Sequence, residues 1–425
     1  MRFKQYLFSR TARNTLITLI GTGIFGVTQV VFNILAFRWL GVASFGIFSI
    51  ATNVAIIGFD ILALGTSQAI VRFVSNYLGK GNRTSAEKIS SFIFGIRLLE
   101  IICLFIAGMF ISQFLALKFF HRPDLVIPIF IGLLLSGIFL ISEFFSSLFQ
   151  AREQFSYRSI LLIIYGITRL LTLILLASFK LVGIVPFLIA FLAGPLIVSI
   201  LSYWLTPKAF TSPSLPKEII APVFHFSKWM ALWGVTASLA SRLDVILLGK
   251  FASESATGIY AAASRLTILI MTAHGAINTV LEPKTARLIH DLSLLKRNFN
   301  KMMIVFTLLS LIIFSLIPLA PLIIPWLLGP TAQPAITIFQ VLIIGTALQI
   351  LTTPAAITLM ATGHSKIIGL LSLMQLGVVL GLQLWLIPQF YAFGAAISVV
   401  TGFGLVCLIA NFSTLKIIRQ PVTAK

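Results

Sequence analysis

Ionisable side chains inside long apolar segments are the residues of this chain that could do chemistry. Asp60, Arg169 and Arg265 each lie near the middle of such a segment, and none has an opposite charge one helical turn away. A charge at the centre of a bilayer costs about 2.5–3.5 kcal/mol or more, so these side chains are expected to face a wet cavity or a partner. Two arginines that faced one cavity would suit a phosphate or diphosphate, because a guanidinium donates paired hydrogen bonds to such oxygens.

The same residues allow a second interpretation, in which each arginine pairs with an acid from another helix, for example Arg169 with Asp60. Arg97 and Glu100 are three residues apart, so they form either a structural ion pair or part of a site. Arg72 lies near a predicted helix end, where its side chain can reach the interface. If a gradient drives transport, Asp60 or Glu100 would bind the proton or Na⁺. The candidate diphosphate ligands are therefore Arg169, Arg265, Arg97 and Arg72.

Uncharged polar residues in the spans give a weaker signal. Gln29, Asn33 and Asn278 would hydrogen-bond sugar hydroxyls if they lined a cavity, but such side chains also join helices to one another. The chain has no P-loop, no metal-spaced His/Cys cluster and no Gly-x-Ser-x-Gly motif. Its two cysteines, Cys103 and Cys407, lie in apolar runs and are interpreted as core residues. The sequence therefore predicts no metal, no cofactor and no enzymatic activity.

Composition indicates an all-α polytopic membrane protein. Of the 425 residues, 58% are hydrophobic and only 10% are charged, and the mean hydropathy is +1.05. A soluble domain has about 25% charged residues. Because a spanning helix needs about 20 mostly apolar residues, the sequence predicts twelve spans, near 15–37, 45–76, 89–116, 125–150, 158–179, 182–205, 220–249, 256–282, 302–328, 334–360, 366–387 and 392–415.

The basic residues indicate the orientation of these spans. The net charge is +20, but Lys and Arg occupy short gaps between apolar runs and form no continuous stripe, which argues against nucleic acid. One side of the predicted topology carries 20 Lys and Arg and the other carries 5, while 6 of the 31 lie within spans. The positive-inside rule then places both termini in the cytoplasm, with anionic membrane lipid beside the basic loops.

A repeated turn signal divides the chain into two halves. Leu40-Gly41 recurs as Leu248-Gly249, about half a chain later, and Gly183 recurs as Gly394 at nearly the same offset. A nearly constant offset predicts two parallel six-helix bundles around a central cleft. The segment that joins them is rich in Pro, Ser and Lys, which is typical of a linker. The expected domains are an N-terminal bundle over 1–206, a cytoplasmic linker over 207–219 and a C-terminal bundle over 220–425.

Several motifs resemble bacterial oligosaccharide flippases of the O-antigen type. In the first half they are Arg38-Trp39-Leu40-Gly41 before Phe45-Gly46, and the segments Phe59-Asp60-Ile61-Leu62-Ala63-Leu64-Gly65 and Val71-Arg72-Phe73-Val74-Ser75. In the second half they are Asp244-Val245-Ile246-Leu247-Leu248-Gly249 and Gly258-Ile259-Tyr260-Ala261-Ala262-Ala263-Ser264-Arg265-Leu266. The resemblance extends to the superfamily of multidrug and toxic-compound extrusion proteins and the lipid II flippase.

This resemblance implies two lobes that alternate access and move a polyprenyl-diphosphate-linked oligosaccharide from the inner to the outer leaflet. It also implies a cationic cavity around the headgroup and other polysaccharide-assembly proteins as partners. Two alternatives stay open at this point. One is a cation-coupled exporter of small amphipathic compounds with the same fold. The other is a membrane-embedded glycosyltransferase or polymerase, although such enzymes generally need a sizeable external loop and the predicted outer loops are short.

Overall fold

The first half of the protein is built from long apolar helices. The computed structural model describes residues 10–212, 217–286, 288 and 291–419, and the regular secondary structure of these residues is entirely helical. The helices of this half are α1 (Arg10–Ala63), α2 (a continuous helical stretch over 66–79), α3 (Arg83–Gln113, extended by a π-helical segment Phe114–Phe119), α4 (Val126–Ala151), α5 (Phe155–Ser178) and α6 (Ile184–Leu205).

The second half repeats this pattern of long helices and short connections. Its helices are α7 (Lys217–Phe251), α8 (Glu254–Ala286), α9 (Leu292–Phe314), α10 (Leu316–Leu328), α11 (Ala335–Ala361) and α12 (Ser365–Arg419). Asp291 begins α9, because its carboxylate accepts hydrogen bonds from the backbone N–H groups of Ser293 and Leu294. The hydroxyl of Ser293 also donates to it, and these bonds hold the pKa of Asp291 below its usual value.

The helices account for the twelve predicted spans. Eight helical segments among the described residues are long and apolar enough to cross a membrane. Two of them, α1 and α12, are interrupted at Gly41 (φ 76°) and Tyr391 (φ 49°), so each makes two passes. The 35-residue α7 and the 33-residue α8 are long enough to supply the remaining two predicted passes. The protein is therefore an all-α, multi-pass membrane protein.

The chain forms two compact units, Met1–Ser238 and Leu239–Lys425. The division falls inside α7, so the first part of this helix packs with the helices that precede it. The sequence-based boundary at 207–219 was placed by composition alone, and it stays a prediction about where the two repeats join.

The start of the predicted linker packs firmly against the first unit. Phe210 is only 2% exposed, and its backbone carbonyl accepts a hydrogen bond of 2.9 Å from the Ser90 hydroxyl. The guanidinium carbon of Arg152 lies 5.0 Å from the centre of the Phe210 ring, within cation–π range. The described beginning of this linker is therefore a structural part of the first unit.

Two turns recur in both units at the repeat spacing. Glu153 (φ 57°) and Gly363 (φ 80°) occupy equivalent positions in the two halves, and each follows a long helix. The next backbone N–H reaches back to the helix, from Gln154 to Phe149 at 2.8 Å and from His364 to Leu359 at 2.9 Å, which is a Schellman ending. Lys180 and Tyr391, which are separated by nearly the same stretch of sequence, also share a left-handed backbone. The duplication inferred from the sequence thus extends to backbone geometry.

Helices of the first unit approach one another closely at glycines. A Cβ added at Gly132 of α4 would lie 2.5 Å from the backbone oxygen of Ala51 in α1. One turn later, the Ser136 hydroxyl donates to the carbonyl of Ala55 at 2.7 Å. A Cβ at Gly166 of α5 would meet the Thr28 side chain of α1 in the same way. Small residues therefore hold these helices together where lipid supplies no hydrophobic driving force.

The Gly132 contact gives a first prediction. We expect Gly132→Ala to lower the free energy of unfolding by about 1–3 kcal/mol, because the atom that it meets is backbone and cannot turn away. Gly23→Ala is the matched control, since no heavy atom lies within 4 Å of its added Cβ. Thermal unfolding of the detergent-solubilised variants measures both effects, and equal midpoints for the two variants would contradict this account of the packing.

Candidate functional site

The second membrane pass is broken near its end. Helix α1 ends at Ala63, and Leu64 (φ 47°) and Gly65 (φ 68°) are both left-handed before α2 begins at Thr66. A left-handed backbone suits glycine but is unfavourable for leucine. The sequence predicted one continuous span over 45–76, and this is wrong at the break, because the apolar run gives no sign of a change in backbone direction.

Arg97 of α3 stabilises the broken end of α1. Its guanidinium donates to the carbonyl oxygens of Leu62 at 3.1 Å and Ala63 at 3.0 Å, and also contacts the hydroxyl of Thr66. These carbonyls have lost their helical partners, and a cation is favourable at a helix C-terminus. Nη1 also donates to Oε2 of Glu100 at 2.6 Å. Of the two interpretations of Arg97 and Glu100, the structure shows the ion pair.

A polar cavity of about 180 Å³ lies beside this break within the first unit. It is large enough for several water molecules. Two carboxylates, those of Asp60 and Glu143, belong to its wall, together with the amide of Gln68 and the hydroxyl of Ser67. The complete lining is Phe59, Asp60, Ala63, Gly65, Ser67, Gln68, Glu143, Ala231 and Gly234. We call this the break cavity.

Glu143, in the wall of the break cavity, interacts with several polar and charged side chains nearby. Its Oε1 accepts a hydrogen bond of 3.2 Å from the Ser147 hydroxyl. Arg158 and Arg97 attract its carboxylate, while Asp60 repels it. Two carboxylates that share one polar cavity oppose each other's ionisation. This arrangement can accept a proton or a cation.

Arg169 has a different environment, inside the first unit. It is 2% exposed, and its guanidinium carbon lies 3.3 Å from the ring centre of Phe191 and 4.5 Å from that of Phe32. Within the described chain, Nε and Nη2 have no hydrogen-bond partner. The aromatic faces therefore hold the cation. In this conformation Arg169 does not line an open surface, and its predicted role as a phosphate ligand stays a prediction.

The remaining candidates occupy several different places. Arg72 is exposed and lies 5.7 Å from the ring of Phe73, in the π-helical turn of α2, and Arg265 is partly buried in α8 of the second unit. Asn33 is buried, and its amide donates to the backbone oxygen of Gln29 at 2.8 Å. This bond lies within one helix, so it gives neither residue a role towards a ligand.

Two polar contacts between helices of the second unit involve ionisable side chains among the described residues. The Tyr260 hydroxyl of α8 donates to the Asp244 carboxylate of α7 at 2.5 Å, with both residues buried. His274 of α8 lies 2.7 Å from the Thr353 hydroxyl of α11, and Asn278 contacts the same histidine nitrogen at 3.4 Å. Of these residues, the sequence analysis named only Asn278 as a candidate cavity residue.

Some residues of the break cavity were not selected from the sequence as site candidates. Glu143 was visible as an acid inside a span, but nothing in its local sequence connects it with Asp60, which belongs to a different helix, α1. Gln68 follows the helix break, which the sequence did not show. In the part of the chain that the structure describes, no group of three or more His, Cys, Asp or Glu is arranged to hold a metal.

The Arg97 contacts predict a large loss of stability on truncation. Arg97→Ala leaves Glu100 and two backbone carbonyls without their cation. The side chains of Arg97 and Glu100 are only 2% and 11% exposed, so we expect the free energy of unfolding to fall by about 3–5 kcal/mol. The matched control is Arg83→Ala, whose pair with Glu87 is 67% and 22% exposed and worth about 0.2–1 kcal/mol. Unfolding of both variants in detergent measures the difference. Equal losses of stability would contradict the stabilising role of Arg97 at the broken end of α1.

The chain is similar in sequence to proteins of polysaccharide biosynthesis. A family model described as polysaccharide biosynthesis protein matches residues 11–289. A relative described as the uncharacterized membrane protein EpsK of Bacillus subtilis (strain 168) is 27% identical over 256 residues, which is 58% of this chain. The matched region spans only half the length of that relative.

Solved structures of transporters share the fold. The lipid II flippase MurJ, in an inward closed conformation, has a TM-score of 0.78 at 15% identity, covering 94% of this chain and 87% of that one. An inward-facing multidrug resistance transporter of the MATE family has a TM-score of 0.75 at 14% identity, covering 92% and 94%. At such identities the likeness establishes the fold alone. The sequence match covers more than half of the chain, and the protein therefore belongs to the polysaccharide biosynthesis protein family.

Proposed function

We propose that this protein is a flippase that carries a polyprenyl-diphosphate-linked oligosaccharide from the inner to the outer leaflet of the bacterial cytoplasmic membrane. The observation that carries the proposal is the family match over residues 11–289. The fold shared with a lipid II flippase supports the same substrate class, because lipid II is itself a lipid-linked glycan. The protein supplies a path by alternating access, and it makes and breaks no covalent bond.

The diphosphate is assigned to arginines whose side chains keep some exposure. Arg97 is committed to the helix break and Arg169 to its aromatic neighbours. Arg72 is exposed and Arg265 is partly buried, so these two guanidinium groups are better placed to contact an anionic headgroup.

Both termini lie in the cytoplasm under this proposal, which follows the excess of Lys and Arg on that side.

The break cavity is assigned to the driving ion. Asp60 and Glu143 face one polar cavity, whereas Glu100 is held by Arg97, so Asp60 is the better of the two ion-coupling candidates. Unwound backbone at a broken helix is a recurring place for cations in transporters. Protonation or cation binding here would relieve the repulsion between the two carboxylates.

A second candidate function is the export of small cationic amphipathic compounds in exchange for a cation. The specific observation that favours it is the pair of carboxylates in the break cavity, since an acidic lining suits a cationic compound. The solved multidrug transporters of the same fold make it a reasonable comparison. Altered drug tolerance without a glycan defect in a deletion strain would favour this function over the first.

Arg265 provides a test of the flippase. In a deletion strain that lacks a redundant flippase, we expect polyprenyl-linked repeat units to accumulate and surface polysaccharide to fall. Arg265→Ala should reproduce most of this loss, because the diphosphate loses a paired donor. The control is Arg297→Ala, because Arg297 is an exposed arginine in α9. Expressed in the deletion strain at the same protein level, this variant should restore export. Normal surface polysaccharide in the deletion strain would contradict the proposal.

Asp60 provides a test of the coupling. In proteoliposomes, we expect Asp60→Asn to remove the dependence of transport on an imposed proton or Na⁺ gradient, because the amide cannot ionise. Asp124→Asn is the control, since that carboxylate is exposed and pairs with Arg122. Lipid-linked substrate reaching the outer leaflet is measured with and without the gradient. Unchanged gradient dependence in Asp60→Asn would remove this residue from the mechanism.

A further inference from the structure

A partly buried histidine contacts two neighbouring helices of the second unit from its own helix, α8. His274 of α8 has its Nε2 atom 2.7 Å from the Thr353 hydroxyl of α11 and 3.4 Å from the Asn278 amide nitrogen. Its ring packs edge-on against Phe306 of α9, with ring centres 6.0 Å apart. A packing role alone does not explain why two polar side chains converge on a single ring nitrogen.

The hydrogen-bond roles at this ring depend on which of its nitrogens carries the proton. An amide NH₂ can only donate, so the contact from Asn278 requires an unprotonated Nε2. The Thr353 hydroxyl can donate to the same lone pair, which leaves the ring neutral with its proton on Nδ1. Asn278 Oδ1 has no hydrogen-bond partner among the described residues. With these roles, two donors meet at one unprotonated nitrogen.

The charged surroundings of His274 are sparse. Helix α11 contains no ionisable residue, and in α9 the ionisable residues Lys296, Arg297 and Lys301 all lie near its start. On α8 itself, Arg265 precedes His274 by nine residues, and Glu282 and Lys284 follow by eight and ten. No ion pair is recorded for His274 in the described part of the chain, so the polar neighbours dominate its environment.

We propose that His274 is a proton-binding site whose occupancy sets the hydrogen-bond direction between α8 and α11. When Nε2 takes a proton from water, the ring gains one positive charge and becomes a donor at both nitrogens. Thr353 must then accept from His274, so its own hydrogen is left to the carbonyl of Gln349, which already lies within hydrogen-bond distance at 3.5 Å on the same helix. Asn278 must withdraw its NH₂ group or rotate to present the unused Oδ1 atom.

The location of Thr353 gives this exchange a mechanical consequence. Thr353 immediately precedes Pro354, which lies inside α11 and removes one backbone hydrogen bond. A threonine hydroxyl that bonds to the carbonyl four residues earlier bends a helix. Protonation of His274 therefore changes the bonding of α11 at the point where the helix is weakest. This inference concerns a proton and a helix contact, so it does not depend on which substrate the protein carries.

Nuclear magnetic resonance of histidine ring carbons tests the proton site. The full-length protein is labelled at histidine and studied in nanodiscs between about pH 5 and pH 8, the range in which histidine titrates. The chain has 5 histidines, and the His274 signal is the one that disappears in His274→Asn. We expect this signal to shift with pH. A His274 signal that stays constant over this range would overturn the proposal.

Hydrogen exchange over residues 349–361 tests the coupling to α11. The exchange rates are corrected for the intrinsic effect of pH. We then expect the rates of these backbone amides to differ roughly fivefold between the neutral and the protonated state of His274, which corresponds to about one hydrogen bond. The difference should vanish in His274→Asn and Thr353→Val but persist in Thr353→Ser, which keeps the hydroxyl. His364→Asn is the matched control, because His364 also contacts a threonine hydroxyl, at 3.0 Å, but at the end of α11. An equal difference in His274→Asn would overturn the proposal.

Discussion

The inability of lipid to hydrogen-bond a broken helix is the constraint on which the first unit depends. Within a bilayer, each backbone carbonyl that loses its helical partner must find another one in the protein. The break at Leu64 and Gly65 releases the carbonyls at the end of α1, and Arg97 supplies the missing donors. Arg97 in turn requires Glu100 as a counterion, since burying a guanidinium without an opposite charge would cost too much free energy. An irregular backbone can then form one wall of a polar cavity.

The same constraint applies to two other charges within the described spans, Arg169 and Asp244. Aromatic faces surround Arg169, and a tyrosine hydroxyl holds the carboxylate of Asp244. Each solution uses neighbours in the same unit, although Nε and Nη2 of Arg169 have no hydrogen-bond partner among the described residues. A charge inside a span is therefore a weak guide to function until its partners are known. The residues that remain useful as candidates are those beside a cavity, such as Asp60, or with an accessible side chain, such as Arg72.

The sequence was sufficient for the large features and insufficient for the site. Hydropathy predicted twelve spans because lipid imposes a length on every pass, and the nearly constant offset between turn signals predicted the duplication. The spacing of Arg97 and Glu100 allowed an ion pair because both residues lie on one helical face. The cage around Arg169 could not be predicted, since Phe32 and Phe191 come from two other helices. The helix break could not be predicted either, because its backbone torsions depend on a donor from α3.

The two units have kept the same turns but not the same chemistry. Left-handed turns recur at 153 and 363 and again at 180 and 391, because a helix ending restricts the backbone strongly and tolerates few alternatives. The interior polar groups are under no such restriction. Two carboxylates line the break cavity of the first unit, whereas the second unit places a histidine between a threonine hydroxyl and an asparagine amide. Duplication thus supplied a scaffold twice, and each copy then acquired its own titratable group. A transport cycle driven by protons in such a protein can respond to pH at two different sites, the break cavity and His274. These sites are not related by the duplication.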